Sequence, residues 1–157
     1  MIHDRTILIA DDDEGEVHLL RRAFAKAGSV ATIQFVTDGE EALAYLKGEH
    51  PYANRKLFPF PDLLLLDLKM PRMNGLEVLE AVRGHSLLKR LPVIVLTVSD
   101  RSKDIALALE AGANSVLVKP KSSKELTQLA RAVQDYWLNW NQTAFVQKPS
   151  TPRNRRR

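Results

Sequence analysis

Four apolar runs in this sequence end in, or are directly followed by, polar side chains that can do chemistry together. These side chains are Asp11–Asp13, Asp67, Thr97 and Lys119. Close carboxylates repel one another unless a hard cation neutralises them, and Mg²⁺ prefers oxygen ligands and often bridges carboxylate and phosphate groups. A lysine ammonium can hold one phosphoryl oxygen, and a threonine hydroxyl can donate a hydrogen bond to another. The combination indicates phosphoryl transfer, which needs in-line positioning and charge neutralisation more than covalent help from the protein.

Asp67 is the best candidate for the group that carries the phosphoryl. It is the single acid between a leucine-rich run and the loop 68–74, and an aspartate carboxylate can act as a nucleophile that forms an acyl phosphate. An acid that follows a strand can also serve only to cap the next helix, and this alternative applies to Asp13 and Glu14. Matching groups at four strand ends favour a reactive site over capping alone.

Five short β-like runs alternate with five helical patterns along the chain. The predicted strands are Thr6–Ala10, Thr32–Val36, Asp62–Leu66, Val93–Thr97 and Ser115–Val118. Most of these runs are continuously apolar, as in strands buried on both faces of a parallel sheet. The second run alternates polar with apolar residues, which predicts a half-exposed edge strand with Ile33 and Phe35 on its covered side. The alternation predicts a doubly wound (βα)5 domain of the α/β class, in which sites form at the carboxyl ends of the strands.

The helical patterns predict which faces of the helices are buried, because apolar residues at spacings of three and four form a stripe in each of them. In the fourth pattern the stripe consists of Ile105, Ala106 and Leu109. In the last and longest pattern it continues through Trp137 and Trp140. Two interpretations of the tryptophan pair stay open, namely packing against the sheet edge or a surface for a partner or a second copy of the chain.

Composition excludes several classes of function. The chain of 157 residues is long enough for one domain with its own core. The absence of cysteine excludes disulfide scaffolds, thiol catalysis and Cys-ligated zinc. No apolar run approaches the roughly 20 residues of a membrane helix, and the run 7–10 is too short for a signal peptide. We therefore expect a soluble, cytoplasmic protein that does not contact a membrane.

The positive charge of the chain is concentrated at its C-terminal end. Lys and Arg number 23 against 19 Asp and Glu, which gives a net charge of +4. Five of these cations and none of the acids lie in residues 141–157, so the rest of the chain carries 18 cations against 19 acids. We predict one domain, 1–142, followed by a basic, disordered tail, 143–157. Nucleic-acid binding by the tail is the less favoured alternative, because the arginines of 149–157 have no aromatic residues among them to read bases.

Four motifs together resemble the receiver domain of two-component response regulators. They are the segments 7–13 (ILIADDD), 67–75 (DLKMPRMNG), 95–97 (VLT) and 118–120 (VKP). The resemblance covers residues 5–138 and implies a flavodoxin-like, five-stranded parallel sheet with strand order 2-1-3-4-5. It also implies a stand-alone signalling protein that accepts a phosphoryl group from a histidine kinase with the help of Mg²⁺. Such a protein is not an enzyme in the metabolic sense, since it catalyses only its own phosphotransfer and autodephosphorylation.

The resemblance also implies roles for individual residues. Asp67 matches the phosphorylated aspartate, Thr97 the switch hydroxyl that moves onto the phosphoryl group, and Lys119 the lysine that contacts the phosphoryl oxygens. The implied Mg²⁺ ligands are Asp12, Asp67, the backbone carbonyl of Lys69 and, through water, Asp11. The bond between Lys119 and Pro120 is implied to be cis. Asp13 matches a variable position and receives no catalytic role.

Three positions depart from, or vary within, the family pattern. Val116 stands where Tyr or Phe is common, so the aromatic half of the usual switch is missing while the hydroxyl half remains. Lys69 and Ser99 match the variable positions that tune the lifetime of the phosphoryl group in the family. An altered rate of autodephosphorylation is therefore expected.

The expected partners also follow from the resemblance. The loop 48–60 and the segment 136–140 (YWLNW) resemble regulators that work with phytochrome-type histidine kinases. The family's usual signalling face consists of the fourth helix, fifth strand and fifth helix, and we expect a homodimer or a downstream protein there. The sequence does not identify that downstream protein. The alternative to phosphorylation is a pseudo-receiver, which is a binding module with the same fold.

Overall fold

Five parallel strands form the central layer of the protein in the computed structural model, which describes residues 5–143. The strands are β1 (Thr6–Ala10), β2 (Thr32–Val36), β3 (Leu63–Leu66), β4 (Val93–Thr97) and β5 (Ser115–Val118). The helices are α1 (Glu14–Lys26), α2 (Gly39–Lys47), α3 (Gly75–Gly84), α4 (Ser102–Glu110) and α5 (Ser123–Val133), and a π-helical segment, Gln134–Trp140, continues α5. The strand order is β2-β1-β3-β4-β5. The predicted (βα)5 architecture and the strand order are therefore confirmed.

The continuously apolar strands supply both faces of the sheet with core residues. Because successive side chains of a strand point to opposite faces, Leu64 and Leu66 of β3 pack with α2, α3 and Ala108 of α4. Leu63 and Leu65 point the other way and pack with α1 and α5. All four of these leucines are at most 2% exposed. The two layers of helices thus hold β1, β3 and β4 in the interior, with their carboxyl ends at one edge.

The third strand begins one residue later than predicted. The Asp62 carboxylate accepts a hydrogen bond from the Thr6 N–H at 2.8 Å and lies 3.5 Å from the Arg5 guanidinium. Asp62 N–H in turn donates to the Thr6 carbonyl at 2.8 Å. Asp62 thus joins the starts of β1 and β3 and fixes their register from the end of the sheet opposite to the candidate site.

β2 lies at one edge of the sheet, as its alternating pattern predicted. Of the two side chains expected on the covered side of β2, Ile33 and Phe35, only Ile33 is covered by the core. Ile33 is half-buried, whereas Phe35 is 40% exposed and is covered instead by the Arg21 guanidinium, 4.5 Å from the ring centroid. Arg21 belongs to α1, so a cation of the neighbouring helix, and not an apolar side chain, covers this edge ring.

The fourth helix buries a different face from the predicted one. Ala106 is exposed, Leu109 is 49% exposed, and the buried position is Ala108. α4 lies over β5, which is the last strand of the sheet. A helix at the edge has fewer neighbours to cover it, so its leucines, Leu107 and Leu109, stay on the surface.

The apolar stripe of the last helix does not continue at spacings of three and four through Trp137 and Trp140. The π-helical segment advances the chain by about five residues per hydrogen-bonded turn, so Leu138, five positions after Val133, is the residue that enters the core. Trp137 is half-buried against the same cluster, and Trp140 is 78% exposed. Core packing therefore applies to Trp137 and not to Trp140. Nearly all of the predicted basic tail, 143–157, lies outside the described residues.

The loop 48–60 is packed against the end of α2. Arg55 donates hydrogen bonds to the carbonyls of Tyr45 at 2.7 Å, Leu46 at 3.0 Å and Phe58 at 3.2 Å. The first two of these carbonyls belong to the last turn of α2, whose C-cap, Gly48, also donates its N–H to the Tyr45 carbonyl at 3.1 Å. The rings of Tyr45, Tyr52 and Phe58 pack against one another in tilted and edge-on arrangements at centroid separations of 5.1–6.0 Å. The Arg55 guanidinium lies 5.8 Å from the centroid of the Tyr45 ring. Arg55 thus adds to the C-cap at Gly48 and ties the loop to the helix.

Replacing Arg55 with alanine should lower the free energy of unfolding by about 2 kcal/mol, because three half-buried carbonyls lose a charged donor. Urea denaturation measures this loss, and Lys56→Ala removes a neighbouring exposed cation as the matched control. Equal midpoints for the two variants would show that the Arg55 contacts contribute nothing.

Among residues 5–143, no helix has the length and apolar character needed to cross a lipid bilayer.

Candidate functional site

The end of β1 places two aspartates in different surroundings. Asp11 N–H donates to the Val36 carbonyl at 3.1 Å, which extends the β1–β2 pairing by one residue. The Asp11 side chain is therefore directed inward and is only 2% exposed. The Asp12 side chain is exposed. One buried and one accessible carboxylate thus stand next to each other at the edge of the sheet.

Asp13 is the N-cap of α1. Its Oδ1 accepts hydrogen bonds from the N–H groups of Gly15 at 2.9 Å and Glu16 at 3.2 Å. Its own N–H donates to Asp11 Oδ1 at 2.9 Å. Capping, which the sequence left open for this residue, explains Asp13 without any catalytic role.

Replacing Asp13 with alanine should therefore lower the free energy of unfolding by about 1 kcal/mol, the usual effect of losing an N-cap. We expect the extent of phosphorylation by a small phosphodonor to stay at the wild-type level when it is measured by intact-protein mass. A large loss of phosphorylation in a folded Asp13→Ala protein would show that this carboxylate belongs to the reactive site.

Asp67 follows β3 directly and is held by backbone contacts on both sides. Its N–H donates to the Ala10 carbonyl at 3.0 Å, and its side chain is 13% exposed. Gly75, at the start of α3, donates its N–H to the Leu68 carbonyl at 2.9 Å. A Cβ at Gly75 would lie 2.3 Å from the Asp67 carbonyl oxygen, so only glycine permits this approach. The first turn of α3 thus fixes the backbone that carries the Asp67 carboxylate.

The three predicted acidic residues come together. One carboxylate oxygen from each of Asp11, Asp12 and Asp67 lies within 4.8 Å of the other two. Lys69 is exposed, and its N–H donates to Asp67 Oδ1 at 3.4 Å. Hard oxygen donors in this number, with room for water on the Asp12 side, suit a magnesium ion. The residues present therefore fit the metal that the sequence suggested.

Lys119 crosses from the end of β5 into the acidic group. Its Nζ lies 2.9 Å from Asp11 Oδ2 and 3.9 Å from Asp67 Oδ2, and it forms a third ion pair with Glu16 Oε2. Burial alone lowers the pKa of Lys119, but the bonds from Glu16 and Asp11 outweigh it and raise the pKa above the ordinary 10.5. Lys119 is therefore charged at neutral pH. The bond to Pro120 is trans, contrary to the cis bond that the resemblance implied.

Burial also changes the pKa of the Asp67 carboxyl. Burial, more than any nearby charge, raises its pKa above the ordinary 3.8, while Lys119 acts in the opposite direction. An acid with a raised folded-state pKa contributes less stability as the pH rises above its unfolded value, because the unfolded chain releases its proton first. Ionised Asp67 thus destabilises the fold at neutral pH, which is typical of a functional carboxylate.

Thr97 lies at the carboxyl end of β4 and is linked to α4 through one residue. Its Oγ1 accepts a hydrogen bond from the Ser99 N–H at 3.1 Å, and its side chain is almost fully buried. The Ser99 hydroxyl donates to the Asp104 carboxylate in the first turn of α4. Thr97, Ser99 and Asp104 line one wall of a cleft of about 570 Å³, and Asp12 and Lys69 lie on its other side. The acidic group is therefore reached from solvent on the side of Asp12.

Two site residues, Glu16 and Asp104, were missed in the sequence. Asp13 and Glu16 have the spacing of a capping box, in which the acid three residues after the cap bonds back to the cap's N–H. Here that N–H is already taken by Asp11, and Glu16 bonds to Lys119. Asp104 carries no signal beyond its place in the first turn of a helix.

The comparisons with known proteins agree with this geometry. The family model described as the response regulator receiver domain matches residues 7–131. The chain belongs to this family. Receiver domains are signalling modules.

Several solved receiver structures resemble the whole described chain. A response regulator of red light signalling in R. palustris, RPA3017, is 34% identical, with a TM-score of 0.86 over 90% of this chain and 99% of that one. The phosphorylated cyanobacterial phytochrome response regulator RcpA is 31% identical, with a TM-score of 0.83 over 91% and 100%. Response regulator Rcp1 of Synechocystis sp. is 31% identical over 85% of this chain and 89% of its own length; its Mn²⁺-bound form has a TM-score of 0.79. The resemblance to phytochrome-associated regulators is thus confirmed.

Proposed function

We propose that this receiver accepts a phosphoryl group from the phosphohistidine of a sensor histidine kinase onto Asp67. The observation that carries the proposal is the convergence of Asp67 with Asp11 and Asp12 within 4.8 Å, beside the charged Lys119. A pseudo-receiver has no use for this arrangement, because clustered carboxylates destabilise a fold unless they serve a cation or a reaction. The phosphorylated state of RcpA, which is similar over the whole described chain, supports the same chemistry here.

The transfer makes few demands on covalent chemistry. An Asp67 carboxylate oxygen attacks phosphorus, the bond from phosphorus to the histidine nitrogen breaks, and the departing imidazole keeps the electron pair and takes a proton from water. Asp11, Asp12, Asp67 and the carbonyl of Lys69 would hold Mg²⁺, which supplies positive charge to the phosphoryl oxygens when bound. Lys119 supplies a further positive charge from the β5 side. Raising the pKa of Asp67 by burial also makes its carboxylate a better nucleophile.

Phosphorylation would be read out through Thr97. A dianionic group on Asp67 attracts the Thr97 hydroxyl, whose oxygen now accepts from the Ser99 N–H. Movement of Thr97 would break that bond and act through Ser99 on the start of α4. Val116 is half-buried in the core under α3 and α4. This hydroxyl route therefore serves as the switch without an aromatic partner, and it shifts a pre-existing equilibrium of the α4 surface.

The phosphoryl group would also be removed within this site. Lys69 and Ser99 line the cleft through which a hydrolytic water must enter. A lysine there both occupies the entrance and attracts the anionic product, so we propose a slow autodephosphorylation that depends on its side chain.

The face formed by α4, β5 and α5 is the proposed surface for a homodimer or a downstream protein. Its exposed apolar residues are Leu107, Leu109 and Val118, and the π-helical segment that continues α5 adds Tyr136 and Trp140. Sedimentation velocity with and without beryllofluoride, a phosphoryl analogue, tests whether this surface responds. A Trp140→Ala protein should lose any phosphorylation-dependent association while it keeps phosphorylation itself.

Intact-protein mass after treatment with phosphoramidate tests the proposed function. A single phosphate adduct should form in the wild-type protein with Mg²⁺, and it should be absent without Mg²⁺ or in Asp67→Asn. Failure of the wild-type protein to form an adduct, under conditions where another receiver is labelled, would favour the pseudo-receiver.

A further inference from the structure

Lys119 is shared among carboxylates from three segments of the chain. Its Nζ pairs with Asp11 at 2.9 Å and with Glu16, whereas Asp67 at 3.9 Å is beyond hydrogen-bond distance. The Lys119 side chain is only 10% exposed, so water screens these pairs weakly. In the unphosphorylated protein, the ammonium that is needed at Asp67 is therefore already neutralised by two other acids.

Glu16 differs from the other acids around Lys119. It lies in the first turn of α1, outside the oxygen group formed by Asp11, Asp12 and Asp67. Its side chain is 32% exposed, against 2% for Asp11, so Glu16 can turn to solvent and Asp11 cannot. The cap of α1 is complete without it, because Asp13 supplies the acceptor and Asp11 binds the Asp13 N–H. The one bond that the Glu16 carboxylate makes to another side chain in the described part of the chain is the bond to Lys119.

We propose that Glu16 is a positioning residue that holds Lys119 on the α1 side of the site and competes with the phosphoryl group for it. The proposal rests on phosphorylation of Asp67. A phosphoryl group brings up to two negative charges next to Nζ, and Glu16 then opposes it in two ways. It withdraws part of the positive charge of Lys119, and its own carboxylate repels the phosphoryl oxygens.

The competition sets how firmly the site holds a phosphoryl group. Of the acids paired with Lys119, only Glu16 is exposed enough to leave, so binding of a phosphoryl group should release Glu16 and leave Asp11 in place. Glu16 thus favours the unphosphorylated arrangement without taking part in the transfer. A regulator with the same other site residues but an apolar residue at this position would retain the phosphoryl group longer.

The test compares the affinity for beryllofluoride, in saturating Mg²⁺, of the wild-type protein and of Glu16→Gln. Gln keeps the shape and an acceptor oxygen but removes the charge, and we expect binding to tighten about five- to tenfold, as for loss of one charge-assisted bond that is partly exposed. Glu14→Gln is the matched control, since it makes the same change of charge in the same helical turn on an exposed residue. Its affinity should stay at the wild-type value.

A spectroscopic readout separates action through Lys119 from a general effect of charge. With ¹⁵N-labelled lysine, the Lys119 ammonium resonance should shift in free Glu16→Gln toward its position in the wild-type beryllofluoride complex, and it should not shift in Glu14→Gln. Unchanged or weaker binding in Glu16→Gln, an equal gain in Glu14→Gln, or an unshifted Lys119 resonance would each overturn the proposal. If the wild-type protein itself binds no beryllofluoride with Mg²⁺, the proposed phosphorylation fails instead.

Discussion

Replacing Gly75 with alanine is expected to lower the free energy of unfolding by about 3 kcal/mol. The added Cβ would lie 2.3 Å from the Asp67 carbonyl oxygen and 2.8 Å from the Leu68 Cα. Both are backbone atoms, so no side-chain rotation can relieve the overlap. Either α3 or the segment that carries Asp67 must move. We therefore also expect slower phosphorylation of the folded fraction, because transfer depends on the position of the carboxylate.

Gly84→Ala is the control for this substitution. Gly84 ends the same helix, and a Cβ there meets no atom within 4 Å. The usual preference of helices for alanine over glycine then applies, and the variant should be as stable as wild type or more stable by up to about 1 kcal/mol. Urea denaturation of both variants measures the difference. Equal stability of Gly75→Ala and Gly84→Ala would show that the contact between α3 and Asp67 does not constrain the fold.

Replacing Lys119 with methionine is expected to lower the free energy of unfolding by about 3 kcal/mol at neutral pH without Mg²⁺. Methionine fills similar volume but leaves Asp11, which is 2% exposed, as a buried charge without its cation. Glu16 can turn to solvent, so the loss comes mainly from Asp11 and from the repulsion between Asp11 and Asp67. Lys121→Met, which removes an exposed lysine two residues later, should have little effect.

The pH dependence of the Lys119→Met effect follows from the carboxylates. Lys119 lowers the pKa of Asp67 and of Glu16, so its loss raises both pKa values further. A protein whose acids have raised folded-state pKa values loses stability as the pH rises. The destabilisation should therefore be larger at pH 7.5 than at pH 5, and Mg²⁺ should recover part of it by binding the folded state. A loss that is equal at both pH values, or insensitive to Mg²⁺, would contradict this electrostatic account.

The sheet and the strand-end residues could be predicted because their signals are local. Buried parallel strands need continuous apolar runs, and their carboxyl ends must meet at one edge. The sequence alone therefore predicts that Asp11, Asp12 and Asp67 lie together, as they do in the structure. Gly75 is the last residue of the motif 67–75. The reason for a glycine there, the close approach of α3 to the Asp67 backbone, is visible only in the structure.

The remaining features depend on interactions that no local pattern encodes. Glu16 pairs with Lys119, which is 103 residues away in the sequence. The spacing of Asp13 and Glu16 suggests a capping box instead, so the sequence does not indicate the ion pair. A period of 3.6 puts Trp140 on the apolar stripe and leaves its burial open, whereas the π-helical segment selects Leu138 for the core. The exposure of Leu109 follows from the position of α4 at the edge of the sheet. Helical periodicity alone does not reveal that position.

Chemical mapping tests directly whether Asp67 carries an acyl phosphate, which is the central claim about this protein. The protein is phosphorylated with phosphoramidate and Mg²⁺, reduced with sodium borohydride, which converts an aspartyl phosphate to homoserine, and digested for peptide mass spectrometry. We predict homoserine at position 67 and aspartate at 11, 12 and 13. Homoserine at one of those three positions, or a phosphate that resists reduction because it is on a hydroxyl such as that of Thr97, would contradict the account.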